Sequence, residues 1–476
     1  MRICLLAEGC YPYVVGGVSS WIQMLISGLP EHEFVIYSIG AEEKDRGNYK
    51  YKLPDNVVEV KEVFLDTVLN MNTSARKNIH LTEEEKAVFK RLLLHDENID
   101  LKMLWNIFQR KTNKKDFLEI FMSADFFECI ISSYTESYAH LPFTDYFWCV
   151  RSLLLPFFFL LQENVPEADV YHSVATGYCG LIGALAAKMF NKPYMVSEHG
   201  IYSREREEEI IKSDWVTGDL KTIWINYFYQ IAKINYKAAD QILALYTGAA
   251  KTEIALGCAD DKIAVVPNGV HLERFLSLEH VEDPDGWINI GAVIRVVPIK
   301  DVMTMLRAFS IVKERIPNSR LYVMGNQEEN PEYYHECLQL VDDMHIPDII
   351  FPGTVQVTEY LPKMDVCLLS SISEGMPLAV LEGLAAGVPF VTTNVGCCYE
   401  IMYKCAEDDD LGQVGIVVPV MDFEGMAEGI IELVCDKQKR LDFAAAGRKR
   451  VVKYYNYDLF INTYRYYYKK MLTIKK

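Results

Sequence analysis

Ser371-Ile372-Ser373-Glu374-Gly375-Met376-Pro377-Leu378-Ala379-Val380-Leu381-Glu382-Gly383 is the stretch whose reading decides the fold. The apolar run 366–369 before it reads as a buried strand, and 377–386 as a helix. Pro377 suits the first helical position, where its missing N–H costs no intrahelical bond and its φ is already helical. Gly387 followed by Pro389 is a helix stop. A helix opening directly after a strand offers unpaired amides, and the positive end of its dipole, to an anion such as a phosphate. Glu374 falls in the loop and Glu382 inside the helix. Two carboxylates would repel a diphosphate, but they suit sugar and ribose hydroxyls, because one carboxylate accepts two hydrogen bonds at once. The bland alternative is an ordinary strand–loop–helix unit with two solvated glutamates.

Outward from that stretch the chain alternates strand and helix. Strands are expected at 288–294, 320–324, 349–351, 366–369, 390–392 and 416–418, with helices at 302–315, 333–343, 377–386 and 423–435. An earlier series has strands at 2–7, 34–39, 170–174, 194–197, 241–246 and 263–266, with helices at 18–29, 177–190 and 224–239. Two successive β/α series imply two doubly wound parallel-sheet domains across a cleft. The domains are placed at 1–275 and 286–452, with the polar, acidic stretch 276–286 as linker and an aromatic-rich helix at 453–476. Residues 66–166 break the alternation. They are helical in pattern, rich in aromatics and poor in glycine, and read as an α-helical insertion.

The 476 residues carry 48 basic against 66 acidic side chains, a net charge of −18, which argues against nucleic acid as a partner. The twelve cysteines are scattered without a C-x2-C pair, as expected of buried thiols in a reducing cytoplasm. The N-terminal apolar run meets Glu8 too soon for a signal peptide. The most apolar stretch, 153–161, contains Pro156 and is roughly half a membrane span, so a soluble protein is expected.

Ligands of open α/β sheets sit at the carboxyl ends of strands, and several charged or glycine-rich loops fall there. Gly16-Gly17 ends the loop after the first strand, where paired glycines let the backbone approach a ligand. A plain tight turn is the alternative. Arg295 and Lys300 follow the strand at 288–294 and would neutralise a diphosphate, Arg as a bidentate fork and Lys as a point charge. His199 follows another strand in a Glu-His-Gly turn. The aspartates at 283, 285 and 408–410 lie in the linker and a polar insertion, and are set aside as metal ligands.

The Glu-x7-Glu pair (Glu374, Glu382), the R-x4-K pair (Arg295, Lys300), the turn Pro267-Asn268-Gly269-Val270 and the Gly16-Gly17 loop together resemble family four of the retaining glycosyltransferases, of GT-B fold. More narrowly, L-L-A-E-G-C-Y-P-Y-V-V-G-G-V-S-S-W, S-E-H-G-I-Y-S-R-E-R and R-V-V-P-I-K-D resemble the PelF-like group serving Pel exopolysaccharide synthesis, and the likeness spans nearly the whole chain. His271 stands where relatives often carry Asp.

The resemblance implies that Glu382 holds the ribose and Glu374 the donor sugar. Arg295 and Lys300 would hold the diphosphate, and His199 would lie by the donor sugar at the reaction centre. Gly16, Gly17, Asn268, Gly375, Met376, Pro377 and Leu378 would complete the nucleotide-sugar site. It also implies retaining transfer of a hexose from a UDP-sugar, UDP-glucose first, to a growing exopolysaccharide, with no metal or other cofactor. Docking to inner-membrane export proteins from the cytoplasm, through the aromatic insertion, is a further expectation. The alternatives are a nucleotide-sugar epimerase of the same fold, against which both motif pairs speak, and a non-catalytic UDP-sugar-binding scaffold.

Overall fold

The computed structural model describes residues 1–70, 79–111 and 117–474, which fall into two compact units. Unit 1 comprises Met1–Ala244, Ala249–Val265 and Tyr464–Lys476; unit 2 comprises Leu245–Gly248 and Val266–Thr463.

Unit 1 is built on seven strands: β1 (Arg2–Glu8), β2 (Glu33–Gly40), β3 (Val57–Phe64), β4 (Val170–Ser173), β5 (Tyr194–Glu198), β6 (Gln241–Ala244) and β7 (Ile263–Val265). They form one parallel sheet in the order β3-β2-β1-β4-β5-β6-β7. Helix α1 (Gly17–Gly28) follows β1. Five helices of the insertion come next: α2 (Glu83–Leu93), α3 (Leu101–Lys111), α4 (Leu118–Phe121), α5 (Ala124–Ser133) and α6 (Phe143–Leu160). Residues 71–78 and 112–116 of the insertion lie outside the described residues. Helices α7 (Tyr178–Phe190), α8 (Tyr202–Lys212), α9 (Leu220–Ala238) and α10 (Thr247–Ala255) complete the alternation.

Central strands such as β1, buried on both faces, read as unbroken apolar runs, as parallel sheets require. Strand β3 escapes that signal. It lies at the sheet edge and alternates in Glu59, Lys61 and Glu62, so the sequence reading passed over it. The insertion shares one continuous core with the sheet, in which Phe89, Phe108, Phe126 and Phe158 pack edge to face.

Pro156 does not interrupt the apolar segment. Helix α6 runs through it for 18 residues and is long and apolar enough to cross a membrane, although ten of its residues are buried in unit 1. Proline forfeits one hydrogen bond and crowds the preceding turn. Burial of Leu153, Phe157, Phe158 and Leu160 in the shared core offsets this, at about 1.5–3 kcal/mol for each fully buried side chain.

Unit 2 holds six strands: β8 (Ile288–Val293), β9 (Ser319–Met324), β10 (Ile349–Gly353), β11 (Val366–Leu369), β12 (Phe390–Thr393) and β13 (Gly415–Val418). They are parallel in the order β10-β9-β8-β11-β12-β13. Its helices are α11 (Val302–Arg315), α12 (Pro331–Asp343), α13 (Val357–Tyr360), α14 (Leu378–Ala386), α15 (Cys398–Met402), α16 (Phe423–Cys435) and α17 (Lys437–Tyr454). Helix α18 (Tyr457–Thr473) starts in unit 2 and from Tyr464 belongs to unit 1.

The stretch read as a linker, 276–286, lies inside unit 2. Asp283 pairs with Arg320, Glu282 with Lys437, and Val281 N–H donates to Pro362 O at 2.8 Å. The main change of unit falls at Val265–Val266. Asp409 likewise has a structural use. It forms a fully buried ion pair with Arg450 (Nε to Oδ2 2.8 Å), whose guanidinium also donates to the carbonyls of Ile401, Met402, Tyr403 and Gly412. Burial pushes the Asp409 carboxyl up, but Arg450 and the Cys405 and Leu411 amides outweigh it and hold it at about 2. All twelve cysteines are free and most are buried.

Candidate functional site

In unit 2 the strand order turns outward between β8 and β11, so the loops leaving these two neighbours meet at the carboxyl edge of the sheet. The β8 loop turns through Pro298–Lys300 into Asp301, which takes a left-handed conformation (φ 45°) and caps α11 by accepting from Thr304 N–H at 3.3 Å. The β11 loop is zipped to it: Ile372 N–H donates to Ile299 O at 2.9 Å, and Ser370 Oγ to Lys300 O at 2.8 Å. That pairing brings Lys300 Nζ to 2.5 Å from Glu374 Oε1, and Ser371 Oγ donates to the same oxygen at 2.6 Å. Both side chains of the ion pair are largely shielded, at 17% and 12% exposure.

The loop then reaches α14. Pro377 stands at the N-cap with extended backbone (φ −75°, ψ 103°), one position before the helical place the sequence suggested. The first-turn amides of α14 therefore begin at Leu378. Gly396, between β12 and α15, presses against this loop from the other side. Its φ is +52°, and a Cβ there would sit 2.2 Å from Gly375 O and 2.4 Å from Glu374 O. Cys397 N–H donates to Gly375 O at 3.0 Å, and Thr393 Oγ1 to Ser371 O at 2.6 Å. Sequence reasoning missed Gly396, whose only trace is a glycine after Asn394-Val395.

The unit also brings Asn268 to the loop. Its N–H points at Met376 Sδ at 3.2 Å, and its side-chain Oδ1 is buried with no partner. Glu382 is half-buried on α14. Burial raises its carboxyl above the ordinary range, opposed by the charge of Arg274, a neighbour that the sequence reading did not single out. Arg295 is half-exposed and pairs with Glu329 rather than with the Lys300–Glu374 couple. His271 stacks on Tyr457 with ring centres 3.9 Å apart.

In unit 1 the carboxyl edge carries the other expected residues. Gly16 is extended (φ −177°, ψ 179°), and both glycines are exposed, with open space where a Cβ would lie. Packing inside the unit therefore does not demand glycine there. His199 follows β5 directly, half-buried against the edge of Trp21 at 4.3 Å between ring centres, and its Nε2 is buried without a partner. Burial pushes the imidazole down to about 3, which favours the neutral ring at physiological pH.

Two carboxylates, Glu198 buried and Glu8 half-buried, fix the loops around it. Glu198 accepts from Thr176 Oγ1 (2.7 Å), Tyr236 OH (2.6 Å) and Tyr202 N–H (2.9 Å), which anchors α8 behind the histidine turn. Glu8, at the end of β1, accepts from Cys179 N–H (3.0 Å) and Tyr202 OH (3.1 Å). Burial raises both carboxyls. A glutamate closing an apolar strand run was the available signal for each.

Comparison with known proteins agrees with this arrangement. Residues 1–261 match the family described as a domain of unknown function, DUF3492, and residues 287–436 match glycosyl transferases group 1. The capsular polysaccharide biosynthesis glycosyltransferase CapM of Staphylococcus aureus is 26% identical over 309 residues, covering 62% of this chain and 72% of CapM. Sucrose-phosphate synthase from Thermosynechococcus elongatus superposes with a TM-score of 0.61 at 14% identity, covering 99% of this chain and 98% of that one. HepE from Anabaena, in complex with UDP, gives 0.61 at 11% identity over 99% and 100%. The chain therefore belongs to the DUF3492 family, here joined to a group 1 glycosyltransferase domain, and has the GT-B fold of two Rossmann-like parallel-sheet units.

Proposed function

We propose that this chain is a retaining, metal-independent transferase that moves a hexose from a UDP-sugar, UDP-glucose first, onto a growing exopolysaccharide, as the polymerising subunit of a Pel-type system. The observation that carries the reading is the Lys300–Glu374 couple in the loop that opens α14. A cation, a carboxylate and helix-start amides in one loop suit a diphosphate and the hydroxyls of its sugar together. CapM is named for capsular polysaccharide biosynthesis, which favours a polysaccharide product, and HepE is described in complex with UDP and with UDP-glucose, which favours a UDP-sugar donor.

In this reading Glu382 binds the ribose and Glu374 the donor sugar. Lys300, Arg295 and the α14 amides carry the charge that grows on UDP as it leaves. Such charges act best when fixed beforehand, and the Ser371 and Ser370 hydrogen bonds fix the loops that bear them. Arg295 must exchange Glu329 for the diphosphate. The acceptor hydroxyl attacks on the face that UDP vacates, its proton passing to the departing diphosphate oxygen as the bond to UDP breaks, which retains the configuration, and neutral His199 orients the donor sugar. Gly16 and Gly17 offer backbone amides to the phosphates, and Asn268, Gly375, Met376, Pro377 and Leu378 line the donor site.

Calorimetry tests the reading. UDP, GDP, ADP and UDP-sugars are titrated into the full chain and into Lys300→Ala without divalent metal. Micromolar UDP binding that the variant loses is the expected result. Absence of UDP binding, or binding only with added metal, overturns it.

A further inference from the structure

We propose that Tyr464, the first residue of α18 belonging to unit 1, is a positioning residue for His199 and acts through the Trp21 indole. The inference rests on the reading of His199 as a reaction-centre group and adds a residue remote in sequence to its machinery.

The geometry is a short stack of rings. Trp21, on α1 just after the Gly16-Gly17 loop, is 1% exposed and meets three rings edge-on: His199 at 4.3 Å, Tyr464 at 5.4 Å and His172 at 6.0 Å. Tyr464 is itself held tightly. Its hydroxyl lies 2.9 Å from Ser197 Oγ, and its ring stacks on His172 at 6.0 Å with 25° between planes. His172 in turn bonds Ser197 Oγ through Nε2 at 2.8 Å and Tyr468 OH through Nδ1 at 2.7 Å. Ser197 stands in β5 two positions before His199, which lies in the bend just past the end of that strand. Tyr464 thus grips the strand two positions before His199 and also packs against the indole that walls the imidazole.

The bracing has a chemical purpose in the proposed reaction. His199 Nε2 is buried and has no partner among the described residues, so no hydrogen bond from them aims this nitrogen. Its direction is left to the packed rings beside it, and displacements of an ångström at a reacting group cost rate steeply. Tyr464, from the end of the chain, supplies one of the three rings set against Trp21.

The test uses full-length protein labelled with ¹³C-histidine, in which the His199 signal is identified by its absence from His199→Asn. UDP released from UDP-glucose is followed in parallel. In Tyr464→Leu the His199 signal is expected to move and UDP release to fall by about tenfold or more, while affinity for UDP stays within about twofold. Tyr464→Phe, which keeps the ring, restores release to within about threefold, and Tyr464→Leu/His199→Asn is no slower than His199→Asn alone. An unmoved His199 signal in Tyr464→Leu, or additive losses in the double variant, overturns the proposal. Full activity in His199→Asn overturns the reaction-centre reading alone, since the histidine signal still reports whether Tyr464 positions the ring.

Discussion

Lys300 Nζ lies 2.5 Å from Glu374 Oε1, although 74 positions separate the two residues. The contact exists because β8 and β11 are neighbours in the sheet and their loops are tied by two hydrogen bonds. Removing the cation leaves Glu374 with the Ser371 hydroxyl but without its ionic partner, beside a site proposed for a diphosphate. Lys300→Ala should weaken UDP binding by tenfold or more, roughly the 1.5–3 kcal/mol of a charged hydrogen bond. Ser371→Ala, which keeps the Lys300–Glu374 ion pair and every positive charge of the site, should weaken UDP binding less than Lys300→Ala does. Calorimetry of both variants checks the ranking.

Gly396→Ala tests the wall behind the same loop. The φ of +52° alone costs an alanine about 1–2 kcal/mol, and the new methyl would meet backbone oxygens of Glu374 and Gly375 that cannot rotate away. Melting temperature should fall and UDP affinity with it. An alanine variant with unchanged binding would show that the Gly375 turn yields freely.

The pair Glu198 and Glu253 should make unit 1 less stable as pH rises. Both oxygens of Glu253 are buried without a partner, and burial, together with the neighbouring Glu198, raises its carboxyl. Burial raises Glu198 likewise. A carboxyl raised in the folded state holds a proton that the unfolded chain has already lost. Its stabilisation is complete below the unfolded pKa and drains away as pH climbs through the folded one. Melting scans from pH 5 to 9 should therefore decline, and Glu253→Gln should flatten the decline and stabilise the protein at pH 8.

His199, pushed down to about 3 by burial, stays neutral across that range. UDP release from UDP-glucose by wild type and His199→Asn should consequently differ in height but share one pH profile between pH 5 and 8. An acid limb near pH 6 that vanishes in the variant would assign a charged histidine to the reaction instead.

Arg450 and Asp409 are both buried, and the guanidinium also satisfies several carbonyls. Arg450→Ala strands a buried carboxylate and should cost about 3–5 kcal/mol. Replacing both with apolar residues, Arg450→Met with Asp409→Leu, should recover part of that loss in denaturant unfolding.

The local periodicities of this chain were enough to place twelve of the thirteen strands among the described residues and the helix that opens within the Ser371–Gly383 stretch, because two-face burial in a parallel sheet writes continuous apolar runs into the sequence. Edge strand β3 lacked that signature, and Pro156 suggested a break that core burial overrides. Lys300, Glu374 and His199 were legible as charged or polar residues in the loops that follow strands. What tertiary structure alone decided is which of them meet. Strand order joins Lys300 to Glu374, a left-handed glycine at 396 shapes their loop, and Arg295 is turned to Glu329. The ring stack around His199 gathers Trp21, His172 and Tyr464 from far-apart segments. Periodicity records which face of an element is buried; it carries no record of the partner that buries it, since that choice is made only when the whole chain packs.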